Sequence, residues 1–193
     1  MKTLVLATAA LLGSLATSAA DAAATIRFVE ANGMIDISLS GSLDLTGMVS
    51  DGQVYGSLAG AVQPQIGTVQ IGGSFMSPTY EYVGVTGPAS FGTNWISLFT
   101  SNSGDALYLF NLSHALYITT SYVSGAQLSA AAQIANATFA SIGINPGDYV
   151  YTLASGDTLT IAVSAVPEPG TAALGVMGVA FLMLAASRRR SSH

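Results

Sequence analysis

The central stretch, about 141 residues from 25 to 165, predicts an all-β fold: a single antiparallel β-sandwich or jelly-roll-like domain. Three observations carry this. Large apolar residues recur at every second position, turn-forming dipeptides punctuate the chain at short intervals, and no long segment holds a helical period. In Ile35-Asp36-Ile37-Ser38-Leu39-Ser40 and in Leu159-Thr160-Ile161-Ala162-Val163, apolar residues fall on one face and polar or small ones on the other.

Taken in order, strands are expected at 26–30, 35–40, 43–49, 53–58, 68–71, 80–85, 95–100, 106–112, 115–122, 148–153 and 159–163. The first two are separated by Asn32-Gly33, a turn signal that supplies positive φ or side-chain turn bonds. Asp51-Gly52, Gly72-Gly73, Ser103-Gly104-Asp105, Asn145-Pro146-Gly147-Asp148 and Ser155-Gly156-Asp157 supply the later turns, through glycine's freedom or side-chain bonds to the backbone. The Ala-rich stretch 127–142 reads as a strand followed by a short helical turn near Phe139.

Composition narrows the function classes. The centre holds one base, Arg27, against eight acids, a balance of −7, which opposes nucleic-acid binding because neutralising phosphates needs a basic face. There is no cysteine, so the fold rests on burial and hydrogen bonding, with neither disulfides nor thiolate metal sites. The aromatic content suits that, since all eight tyrosines and the sole tryptophan, Trp95, lie in the centre.

The ends differ from the centre. Residues 1–24 carry Lys2, an apolar run from Leu4 to Leu15 and a small-residue tract from Ser18 to Ala24, the layout of a cleavable signal peptide. Small residues stand at the inspected positions for a cut after Ala20, Ala22 or Ala24. At the other end, Pro167-Glu168-Pro169 is followed by sixteen uncharged residues, Thr171 to Ala186, and by Arg188-Arg189-Arg190. As a helix the run spans about 25 Å, near the lower limit for a bilayer core, and the prolines hold the preceding segment extended. The three arginines favour a cytoplasmic C-terminus, with everything before the span across the membrane. The Gly175 and Gly178 spacing is not the usual helix-dimer motif.

This segment, 166–193, resembles the tripartite PEP-CTERM sorting signal of exported proteins in Gram-negative bacteria: Pro167, Glu168 and Pro169 as sorting motif, an apolar span, and Arg188, Arg189 and Arg190 as orienting charges. The stretch from Ala137 to Tyr149 also looks like a sequence common upstream of that signal. The resemblance implies export with signal peptidase and an exosortase as processing partners. It further implies a single-pass precursor in the inner membrane, release to the cell surface or matrix, and an association with exopolysaccharide and biofilm.

No catalytic residue, metal or cofactor is expected from the sequence. His114, beside Ser113, is the only central histidine and lacks the arrangement of a triad. Glu30 and Asp36 are the kind of carboxylate pair that glycoside hydrolysis uses, though eight acids offer such pairs by chance. Asp105, Asp148 and Asp157 sit in turns with oxygen ligands suited to Ca²⁺, but without a D-x-D-x-D-G loop. Trp95 with exposed tyrosines suits stacking on sugar rings, against the commoner role of such residues as core. Asn111 and Asn136 begin glycosylation-acceptor triplets, which the bacterial signal makes irrelevant. The expected function is therefore a non-enzymatic exported domain. A membrane-anchored adhesin, a carbohydrate-binding module and a glycoside-active enzyme are the alternatives.

Overall fold

A computed structural model describes residues 23–57 and 60–165. Among them fourteen strands run in chain order: β1 (Ala23–Ala31), β2 (Met34–Ser42), β3 (Val54–Gly56), β4 (Ala61–Gln63), β5 (Thr68–Ile71), β6 (Pro78–Val83), β7 (Val85–Thr86), β8 (Ser97–Leu98), β9 (Ser101–Gly104), β10 (Leu107–Phe110), β11 (Ala115–Thr119), β12 (Gln127–Ala135), β13 (Gly147–Leu153) and β14 (Thr158–Ala165). They form two seven-stranded sheets, ordered β7-β13-β14-β1-β2-β12-β9 and β3-β6-β11-β10-β5-β4-β8. The all-β expectation holds. The segments 1–22 and 166–193, which carry the signal-peptide and sorting-signal readings, lie outside the described residues.

Alternation builds the core. Ile26 and Phe28 of β1, Ile35, Ile37 and Leu39 of β2, and Leu159, Ile161 and Val163 of β14 all face inward. They meet Val69, Ile71, Leu107, Leu109, Leu116 and Ile118 of the second sheet in one buried cluster. The expected turn at Asn32 and Gly33 has φ of 54° and 70°, and the structure shows that it closes a β1–β2 hairpin. Strands also pass from one sheet to the other at glycine bends: Gly84, φ 111°, separates β6 from β7, and Gly104, φ 96°, ends β9 before β10.

Three expectations need correction. The first sheet is not wholly antiparallel, because β1 and β14 run parallel from Ala23↔Thr158 to Glu30↔Ala165. Being the first and last strands, they need no turn between them, and their register places Ile26 beside Ile161 and Phe28 beside Val163 in the core. Second, 43–49 is a turn with one bridge, Val49↔Val83. There the Asp44 carboxylate accepts bonds from the Thr46 N–H (2.9 Å) and hydroxyl (2.7 Å), and the Tyr122 hydroxyl serves both main-chain groups of Leu43. Local side-chain bonds outcompete ladder pairing at that point. Third, 95–100 contracts to the two residues of β8, and 106–112 ends in the 3-10 turn Asn111–Ser113.

The Ala-rich stretch is strand β12 followed by a single helical turn, with the Ile142 N–H bonded to the Thr138 carbonyl (3.1 Å). The parallel pairing also separates the two ends of the domain. Ala23 lies beside Thr158 at one end of the first sheet, and Ala165 lies beside Glu30 at the other.

Candidate functional site

The outward face of the second sheet carries an aromatic stripe. Because Leu107, Leu109, Leu116 and Ile118 point into the core, their neighbours Tyr108, Phe110 and Tyr117 point outward, half-buried. Cross-strand register sets Tyr108 opposite Tyr117 and Tyr117 opposite Glu81. The Tyr108 and Tyr117 rings stack at 5.4 Å, Tyr55 of β3 meets Tyr117 edge-on at 5.5 Å, and Phe110 lies 5.4 Å from Tyr108. Four rings from β3, β11 and β10 thus form one continuous band.

Hydrogen bonds fix their tilt. The Tyr117 hydroxyl donates to Glu81 Oε1 (2.6 Å), and the Tyr55 hydroxyl donates to Asp51 Oδ2 (2.6 Å). Burial, followed by the bond to Glu81, pushes the Tyr117 phenol well above its usual range. The bond to Asp51 raises Tyr55, and the same bond, with one from the Gln53 N–H, holds Asp51 below the ordinary carboxylate range. The stripe therefore presents phenols bonded to carboxylate oxygens at its edge. Chemically it offers apolar ring surface for C–H groups and carboxylate acceptors for hydroxyl donors, with the one described cation, Arg27, on the other sheet.

A concavity of about 300 Å³ lies on the outward face of the first sheet. Small residues make its floor: Ser38, Ala131 and Ser103 stand in register, flanked by Asp36, Gln133 and Ser101. Gln133 Nε2 donates to Asp36 Oδ1 at 2.9 Å.

The residues singled out from the sequence are dispersed. Pro167, Glu168, Pro169, Arg188, Arg189 and Arg190 lie outside the described residues. Glu30 and Asp36 point to opposite faces of the β1–β2 hairpin: Glu30 is opposite buried Ile35 and accepts the Phe139 N–H, while Asp36 is opposite Val29 on the solvent side. His114 is exposed at φ 54°, and its carbonyl accepts the N–H groups of Gly84 and Val85, so its backbone serves a turn. Asp105 accepts the Ser129 N–H (2.8 Å), Asp157 accepts the Asp44 N–H, and Asp148 is the second residue of β13. Among the described residues, no three metal-ligating side chains come together. Asn111 is buried with its amide donating to the Pro88 carbonyl (3.0 Å), which closes it to modification, whereas Asn136 is exposed.

Trp95 is exposed but does not join the tyrosines. It precedes the edge strand β8, separated from the stripe by β5 and β4. The stripe is not visible in the sequence because Tyr55 on β3 lies some fifty residues before its partners on β10 and β11. The available signal was the pairing of outward parity in Tyr108 and Phe110 with that of Tyr117 across a short turn.

No family model matches the chain, and neither a curated protein nor a solved structure shows significant similarity to it. No helix among the described residues is long and apolar enough to cross a membrane.

Proposed function

We propose that this is an exported, non-enzymatic protein of the cell surface or extracellular matrix. A signal peptide in 1–24 sends it out, and an exosortase processes a PEP-CTERM-like tail in 166–193 after single-pass insertion in the inner membrane with the C-terminus cytoplasmic. The observation that carries this reading is the position of the last described strand. β14 ends at Ala165, so Pro167-Glu168-Pro169 follows the sheet with only Val166 between, and the sorting triplet, apolar run and arginines remain together as a unit of sequence.

Replacing Pro167, Glu168 and Pro169 by alanines tests it. The variant should accumulate uncut in the inner membrane with its domain outside, followed by fractionation with an antibody to the domain and a C-terminal tag. Wild-type levels of cut protein at the surface would reduce the segment to an anchor, leaving a membrane-anchored adhesin.

The aromatic stripe favours a second, compatible reading, in which the domain holds exopolysaccharide. Tyr55, Tyr108, Phe110 and Tyr117 supply stacking surface, and the acidic surroundings suit a neutral chain over an anionic one. Retardation of the domain in gels containing the matrix polysaccharide should be lost in Tyr108→Ala/Tyr117→Ala while circular dichroism stays unchanged. Equal retardation of folded variant and wild type would remove the stripe from the function.

A further inference from the structure

We infer that the Trp95–Leu98 edge rests in the headgroup layer of a zwitterionic lipid membrane while the tail is uncut, and so holds the sorting triplet at the membrane surface. The inference rests on the anchor reading of 166–193 and extends it to the folded domain.

The geometry starts from where the chain leaves. Ala165 pairs with Glu30, whose carboxylate accepts the Phe139 N–H. Phe139 begins the turn that ends at Ile144, since the Ile144 N–H bonds to the Phe139 carbonyl (3.0 Å). The Thr93 N–H in turn bonds to the Gly143 carbonyl (2.8 Å), and a Cβ on Gly143 would stand 2.9 Å from the Asn94 nitrogen. Trp95 is thus at the same end of the first sheet as the exit of the chain. At that end the edge exposes three large apolar side chains, Trp95 (57 %), Ile96 (44 %) and Leu98 (64 %). β8 pairs only with β4, so its outer edge has no strand partner among the described residues.

The tether sets the distance. Five residues, 166–170, separate Ala165 from the apolar run at Thr171, a reach of about 20 Å when fully extended. The exit end of the domain is therefore confined close to the bilayer, where an exposed tryptophan with aliphatic neighbours matches the interfacial layer. Three side chains bind a membrane too weakly to hold a free protein. A tether of this length, however, makes the contact intramolecular at millimolar effective concentration. Charge selects the lipid: Glu30 and Asp36 lie toward this end, whereas Arg27, the only described cation, stands level with Asp148 nearer the middle of the first sheet, so an anionic surface would repel this end. After the tail is cut the contact lapses and the domain leaves the surface.

Trp95 is the only tryptophan in the chain, so its fluorescence reports this edge alone. Full-length protein would be reconstituted in phosphatidylcholine vesicles, some carrying lipid brominated near the headgroup. Trp95 emission should shift to the blue, lose most of its quenching by aqueous iodide and be quenched by the brominated lipid. A long Gly-Ser spacer inserted between Ala165 and Val166 should reverse all three. Alkaline extraction of the same vesicles separates the two ideas. Extraction of the wild type from the vesicles overturns the anchor reading and this inference with it. Stable insertion with Trp95 still open to iodide overturns this inference alone. Protection from iodide that is equal in detergent and rises with protein concentration would assign the edge to a second copy of the chain and also overturn it.

Discussion

Replacing Tyr151 by phenylalanine tests how the two sheets are tied. Tyr151 stands on β13 of the first sheet, is fully buried, and reaches across the core to donate to the Pro88 carbonyl (3.1 Å) or the Gly67 carbonyl (3.3 Å) at the end of the second sheet. Two glycines make room for it. A Cβ on Gly87 would collide with the Tyr151 ring, and one on Gly67 would stand 2.9 Å from the hydroxyl. The Tyr151→Phe change keeps the ring and its packing, so only the hydroxyl's bonds are lost. The Pro88 carbonyl keeps its bond from the Asn111 amide, which leaves the Gly67 carbonyl as the group stripped of this partner. The expected cost is about 1–2 kcal/mol, the loss of one buried hydrogen bond with one acceptor left less well satisfied. At about 3–4 °C per kcal/mol for a domain of this size, Tm should fall by about 3–8 °C. Tyr151→Ala should cost about 3–5 kcal/mol, because it also opens a cavity. Urea and thermal unfolding of residues 23–165, followed by circular dichroism, measures both. Because Asn111 and Tyr151 share the Pro88 carbonyl, Tyr151→Phe/Asn111→Ala should cost a different amount from the sum of the single changes. A Tyr151→Phe protein as stable as wild type to within about 0.3 kcal/mol would refute the account of the hydroxyl as a bridge between sheets.

Alkali should unfold the domain: burial raises the phenol pKa values of Tyr151, Tyr117 and Tyr108 above the ordinary value of 10.0, so the stability they contribute is complete below pH 10 and is lost as pH rises through their folded-state values. Tyrosinate absorbance that climbs cooperatively with loss of circular dichroism supports this, and independent titration at the ordinary value contradicts it. Gly41→Ala should cost more than about 2 kcal/mol, since φ is 109° and a Cβ there would collide with the Ala23 carbonyl, and urea denaturation would show it. The mature N-terminus should be Asp21 or Ala23 and not Thr25, because Ala23 and Ala24 are part of β1 and Ala24 is fully buried between its partners Leu159 and Gly41. N-terminal sequencing of exported protein decides between them, and a start at Thr25 would mean that β1 folds without its first two residues.

Part of this architecture was legible in residue order alone. Alternation in 35–40 and 159–163 determined which side chains face the core, and Asn32-Gly33 marked a turn with positive φ, because side-chain parity and positive φ are local properties of the chain. The strand-then-turn reading of 127–142 was local in the same way. What the tertiary structure decided is which strands become neighbours. The parallel union of β1 with β14 joins residues at opposite ends of the domain, and no turn between them announces it. The aromatic stripe depends on that kind of choice too: Tyr55, Tyr108, Phe110 and Tyr117 carry the right parity individually, but only the sheet order β3-β6-β11-β10 brings their rings together. The same holds for Glu30 and Asp36, six residues apart yet on opposite faces, because the length of the hairpin turn sets the register. Parity is written into each segment; partnership is settled by packing the whole set of inward faces into one core, a global constraint that no local window contains.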